Sequence, residues 1–145
     1  MPPVMFDSSI YIAALRIGHD AALELRRLAR GEPIWLSSVV LGELCAGANA
    51  KSRHIIERLE RDFDRASRVL VPNLKDWAQA GRVLALIAAK YDFEQIGRAR
   101  LTNDALIAMN AARTGITVIT ANARDFEKLA EFRRFPWKIE NPTNG

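Results

Sequence analysis

The chain has 145 residues, 49% of them hydrophobic and 26% charged, which is the length and composition of one globular domain able to bury its own core. A single cysteine, Cys45, excludes an intrachain disulfide and a thiolate zinc site, and two histidines, His19 and His54, are too few for a zinc cage. The net charge of +4 and the sequence pI near 9.6 allow a polyanionic partner without demanding one.

The start, MPPVMF, has no basic region followed by an apolar one, so no signal peptide is expected. The longest purely apolar run, Val83 to Ala89, is bracketed by Arg82 and Lys90 and falls far short of the roughly 20 residues of a membrane span. The expectation is a soluble, cytoplasmic protein with no membrane association.

Val4 to Phe6 reads as a short strand stopped by Asp7. Ser8, Ser9 and the apolar segment Ile10 to Ile17, closed by Gly18, read as a polar turn and a helix. Asp7 thus falls at the carboxyl end of a strand, the edge where open α/β sheets bind ligands. Helix capping is its plainer role. Asp20 to Arg30 reads as an amphipathic helix with Ala21, Ala22, Leu25, Leu28 and Ala29 on one face; His19 sits in the turn before it as a solvated residue. Pro33 to Leu36 is a second strand, and Ser37 or Ser38 caps a helix through VVLGELCAGA. Glu43 is the single charge from Ile34 to Ala48 and lies too far from the serines to be a capping-box glutamate. A carboxylate in such a stretch needs a partner, a metal or water. Cys45 reads as small core filling.

Lys51 to Ser67 is a charged helix with Ile56, Leu59, Phe63 and Ala66 as its buried stripe, and its interleaved charges pair along a solvated face. Val69 to Val71 is a third strand, ended by Pro72. Asn73 caps a helix from Leu74 to Tyr91, whose Trp77, Ala80, Gly81, Leu84, Ile87, Ala88 and Tyr91 repeat at core spacing. From Asp92 to Asn103 no period is clear, and a surface loop carrying Arg98 and Arg100 is expected. Thr102, Asn103 and Asp104 then open a helix that stops at Gly115; Asp104 falls in its first turn, where the helix dipole by itself would favour a carboxylate. Ile116 to Ile119 is a strand, Thr120 to Asn122 its carboxyl edge, and Asp125 begins a helix to about Phe132. Phe135 to Ile139 makes an edge strand before the tail NPTNG, which is expected to fray. No repeat, linker or low-complexity segment divides the chain. The order predicts an α/β fold: a parallel central sheet of four or five short strands flanked by helices on both faces, in one domain over residues 1–140 with a tail of 141–145.

Each acid has a bland role of its own, but right-handed crossovers bring Asp7, Glu43, Asp104 and the Thr120–Asp125 turn to one rim. Carboxylates crowded together repel unless a cation compensates. Oxygen ligands without Cys or His select a hard ion, Mg²⁺ or, as a substitute, Mn²⁺. Four acids hold one ion tightly or two loosely, and attack of a metal-activated water on a phosphodiester is the natural chemistry of such a site.

The motifs FDSSIYI, VVLGELCAGA, LTNDALIAMNAARTG and VITANARDF, taken together in this order, resemble the PIN-domain family, and more narrowly its VapC-like toxins of bacterial toxin–antitoxin pairs. The resemblance covers essentially the whole chain. It implies a PIN-like fold, a Mg²⁺-dependent endoribonuclease cleaving RNA, a homodimer, and a small cognate antitoxin that blocks the site. Asp7, Glu43 and Asp104 match the family's three core acids. At the fourth position either Asn122 helps hold a metal-bound water or Asp125 reaches in; Asp125 is favoured as the outer ligand, with Thr120 and Asn122 hydrogen-bonding behind it. Ser8 matches a small hydroxyl residue that orients the first acid. Beyond the resemblance, Arg98 and Arg100, just ahead of Asp104, are expected to steer the RNA backbone.

Two rivals belong to other classes. A phosphohydrolase of the haloacid-dehalogenase kind wants a second Asp where Ser9 stands, and a phosphate-accepting receiver wants its Asp after a middle strand, whereas Asp7 follows the first. A catalytically inactive RNA-binding or scaffold protein on the same fold would not need Asp7, Glu43 and Asp104 together, though a fold alone does not guarantee activity.

Overall fold

The structure is a computed structural model describing residues 2–17, 21–92 and 98–142, with all their side chains but those of 98 and 99. His19, the first residue of the expected 20–30 helix, part of the expected 92–103 loop and the last three residues of the tail lie outside the described residues. Strands β1 (Val4–Phe6), β2 (Ile34–Ser37), β3 (Val69–Leu70), β4 (Thr117–Thr120) and β5 (Trp137–Ile139) form one sheet in the order β3-β2-β1-β4-β5. Every pairing is parallel, with Val4 beside Ile34 on one side and Thr117 on the other. The central strand β1 is covered on both sides, so Val4, Met5 and Phe6 are all buried; a continuous apolar triplet is what a strand buried on two faces requires.

The helices are α1 (Ser8–Ile17), α2 (Ala21–Ala29), α3 (Ser38–Ala46), α4 (Arg53–Arg65), α5 (Leu74–Tyr91), α6 (Arg98–Thr114) and α7 (Ala123–Phe132). Crossovers from β1 through β2 to β3 step one way across the sheet, and those leading to β4 and β5 step the other way. Right-handed connections therefore put α1 to α4 on one face and α5 to α7 on the opposite face. The packing agrees: α1 meets α2 and α3, α3 meets α4, and α5, α6 and α7 pack on one another. Across this division, α3 also meets α6.

The buried stripe of α5 is Ala80, Val83, Leu84 and Ile87. Trp77, expected in the core, is instead 56% exposed, because the helix turns its Leu74–Trp77 edge outward. Cys45 is exposed rather than core filling; Leu44 faces the core, and a helix rotates the next side chain about 100° away. The α6 helix starts at Arg98, not at Thr102. Its first turn alternates Arg98 and Arg100 with Ala99 and Leu101, a pattern without helical period, which hid it from a search for an apolar stripe. It ends at Gly115, whose φ of +78° suits a residue without a Cβ.

One buried acid escaped the sequence. Asp76 completes a capping box with Asn73, and it also accepts hydrogen bonds from Asn110 Nδ2 at 2.8 Å and from Arg113 Nη2 at 2.9 Å. It thus ties the start of α5 to the last two turns of α6. Removing it strands a buried amide and an arginine at once. Asp76→Ala is expected to lower unfolding free energy by about 3 kcal/mol in urea titration; a loss below about 0.5 kcal/mol, the range of surface substitutions, would show that the clamp holds nothing.

Candidate active site

Strand β1 has β2 on one side and β4 on the other, so the chain reverses its direction across the sheet at β1. The crevice beyond the carboxyl ends at such a switch point is where parallel sheets bind ligands. Asp7 is the first residue after β1 and Thr120 the last of β4. Asp7 is buried, and both its oxygens are held: Oδ1 by the Ser9 hydroxyl at 2.5 Å and more loosely by the Ile10 N–H, Oδ2 by the Thr120 hydroxyl at 2.6 Å. Thr120 Oγ1 in turn accepts the Asn122 N–H at 2.9 Å, and Ser9 Oγ accepts the Ala121 N–H at 3.1 Å. Two hydroxyls thus lock the turn after β1 to the turn after β4 through one carboxylate. Burial raises the Asp7 pKa, and these hydrogen bonds pull against it.

Glu43 arrives from β2. Ser37 closes that strand and caps α3, accepting the Val39 N–H at 3.2 Å and the Val40 N–H at 3.4 Å, so strand and helix join without a loop. Glu43 lies half-buried on α3, the helix that meets α6. Burial raises its pKa; side-chain hydrogen bonds from Asn103 and Ser8 oppose this, while Asp7 raises it further. Asp104 lies in the second turn of α6, not in the first as the sequence suggested, so its place owes little to the helix dipole. It is buried, and burial followed by the charges of Asp7, Asp125 and Glu43 pushes its pKa up to about 8. Asp125 is buried in the first turn of α7. Asn122, the N-cap of that helix, makes no side-chain capping bond; its amide reaches Asp125 Oδ2 at a long 3.4 Å.

The structure therefore brings Asp7, Glu43, Asp104 and Asp125 into one electrostatic cluster, with Thr120 and Asn122 beside it. Ser8 serves Glu43, and it is Ser9 that orients Asp7. Ser9 and Asn103 went unassigned in the sequence, although both are polar residues within two positions of an expected ligand. Arg100 reaches the rim, its Nε 4.0 Å from Asp125 Oδ2; the Arg98 side chain lies outside the described residues.

The donor set fits a hard divalent cation. Glu43 Oε1 and Asp104 Oδ2 are buried with no hydrogen-bond partner, a costly state for a carboxylate. Among the described residues, no three acidic, histidine or cysteine side chains are spaced as a ready-made ligand cage. Mg²⁺ does not need one, since it keeps several waters and takes one or two carboxylates directly.

This crowding opposes folding when no cation is present. The folded pKa of Asp104 lies above its unfolded value of 3.8, at about 8. Across that interval the folded state binds more protons, so stability falls as pH rises from about 4 to about 8. In EDTA, the melting temperature is expected to drop over this range, and Asp104→Asn to raise it at pH 8 by on the order of 5 °C. An Asn variant that melts lower than the wild type at pH 8 would contradict the repulsion.

The PIN domain family model matches residues 4–132. Among solved structures, a DNA-bound VapBC from Salmonella typhimurium superposes with a TM-score of 0.68 at 23% identity, covering 96% of this chain and 98% of the other. VapBC2 from Rickettsia felis, bound to a DNA fragment from its promoter, gives 0.66 at 23% identity, covering 95% and 98%. VapBC-1 from nontypeable Haemophilus influenzae gives 0.64 at 20% identity, covering 94% and 96%. No curated protein matches the chain. At these identities the structures speak for the fold, and the family match spans most of the sequence: the chain belongs to the PIN-domain family.

Proposed function

We propose that this protein is a Mg²⁺-dependent endoribonuclease acting as the toxin of a toxin–antitoxin pair. The observation that carries the reading is the pair of unpartnered buried carboxylate oxygens, on Glu43 and Asp104, beside a fully hydrogen-bonded Asp7 at the switch point of the sheet. Glu43 and Asp104 would hold the cation directly, with Asp7 and Asp125 completing the negative shell, directly or through water. Bound there, Mg²⁺ supplies a nucleophile at neutral pH and offsets charge building on a phosphate; Mn²⁺ would substitute. The chain's own residues do the positioning. Ser9 and Thr120 fix Asp7, and Asn103 and Ser8 fix Glu43. A carboxylate of the cluster orients the attacking water in line with the scissile bond. Arg100, 66% exposed at the rim, is placed to receive an RNA phosphate, a role assigned also to Arg98 in the same turn.

A groove supports the antitoxin. Tyr11, Leu15, Leu25, Ile55, Leu59 and Phe63 line a cavity of about 590 Å³. Leu15 and Ile55 continue into a second cavity of about 630 Å³ that Glu43 lines. An amphipathic segment laid along this groove would end beside the site and close it. Val71, Leu74 and Trp77, all more than half exposed, offer the apolar surface a homodimer needs. No helix among the described residues is long and apolar enough to cross a membrane.

Purified protein is expected to cleave single-stranded RNA in Mg²⁺ and to stop in EDTA. Asp7→Asn or Asp104→Asn should lower kcat/KM by roughly a hundredfold or more, and Ser9→Ala by about tenfold, with folding checked by circular dichroism. Induced expression should halt growth, and Asp7→Asn should relieve it. RNA binding without cation-dependent cleavage would refute the nuclease reading in favour of a scaffold.

A further inference from the structure

We propose that Arg100 is a built-in counter-cation of the acid cluster, one that competes with the divalent cation for the carboxylates and leaves Asp125 when that cation binds. The inference rests on the cation site proposed above.

The position of Arg100 needs an explanation. It lies in the first turn of α6, where the helix dipole is unfavourable to a positive charge. A cation there gains nothing from its own helix and must be stabilised from outside. The outside source is the cluster. Arg100 Nε lies 4.0 Å from Asp125 Oδ2, close enough for an ion pair and too far for a hydrogen bond. The same guanidinium is the positive charge that opposes the raised pKa values of both Glu43 and Asp104. One arginine thus faces three of the four acids, without hydrogen-bonding Asp125.

Such a contact is built to be exchanged. The side chain is 66% exposed, so releasing Asp125 removes little burial. A divalent cation placed among the carboxylates repels the guanidinium and neutralises the charge that held it. Coupling of this kind is reciprocal: whatever weakens Arg100's hold favours the cation, and the cation frees Arg100. A backbone phosphate that pairs with Arg100 would therefore promote cation binding, so that substrate and metal assist each other through one side chain. Acid clusters lacking such a residue would bind the ion more tightly but without this dependence on substrate.

The test is Mn²⁺ binding by calorimetry at low ionic strength, on the full chain. Arg100→Gln is expected to bind Mn²⁺ about three- to tenfold more tightly than the wild type, given the screening of an exposed charge. Arg100→Lys, which keeps the charge, should stay near the wild-type value, and about 0.5 M salt should erase the difference between Gln and wild type. If the wild type binds Mn²⁺ and Arg100→Gln binds it equally or less tightly, the counter-cation role is overturned while the cation site stands. If the wild type binds no Mn²⁺, the site itself falls, and this inference with it.

Discussion

The structure depends on the confinement of four carboxylates beyond the carboxyl ends of β1 and β4. Like charges at this density resist being brought together, and burial makes the resistance worse. Asp104 registers the strain most directly, with a pKa near 8. The fold holds the arrangement because each acid arrives on a different rigid element: Asp7 at the end of the central strand, Glu43 on α3, Asp104 on α6, Asp125 on α7. The backbone position of each acid is thereby fixed by an element packed in the core.

The scaffold around the cluster follows from that need. Ser37 starts α3 directly at the end of β2, which fixes where Glu43 stands. Ser9 and Thr120 bind Asp7 from two separate turns, so the carboxylate is also the staple between them. Far from the cluster, Asp76 joins α5 to α6 through Asn110 and Arg113, and α6 is the helix that carries Asn103 and Asp104. Asp76 and Asp104, both buried on this face, have opposite fates. Asp76 is satisfied by an arginine and an amide and reads as structure. Asp104 has a buried oxygen with no hydrogen-bond partner.

The elements that could be read in the sequence are those whose chemistry is local. The apolar triplet of β1, the strand-to-helix step at Ser37, the Asn73 cap and the glycine stop of α6 each carry their own signal; Asp7, Asp104 and Asp125 were marked by their places at element ends, and Glu43 as the lone charge of an apolar run. Features set by tertiary contact were not legible. The start of α6 bears Arg98 and Arg100, which have no apolar period, so helix was taken for loop and Asp104 for a first-turn residue. Trp77 matched the core spacing of α5, yet nothing local tells which edge of an amphipathic helix meets its neighbours. Ser8 and Ser9 are adjacent and chemically identical; only the backbone path of the turn decides that Ser9 reaches Asp7. Asp76 sits in a capping position, and its pairing with Arg113 spans two helices.

The central claim, that the cluster exists to hold a divalent cation, is tested most directly by locating the ion. Paramagnetic Mn²⁺ broadens NMR signals of nearby amides. Titrated into isotope-labelled protein, it should bleach resonances around Asp7, Glu43, Asp104 and the Thr120–Asn122 turn first, and excess Mg²⁺ should restore them. Broadening that begins elsewhere, such as along the exposed acids of α4, or that Mg²⁺ does not reverse, would contradict the account.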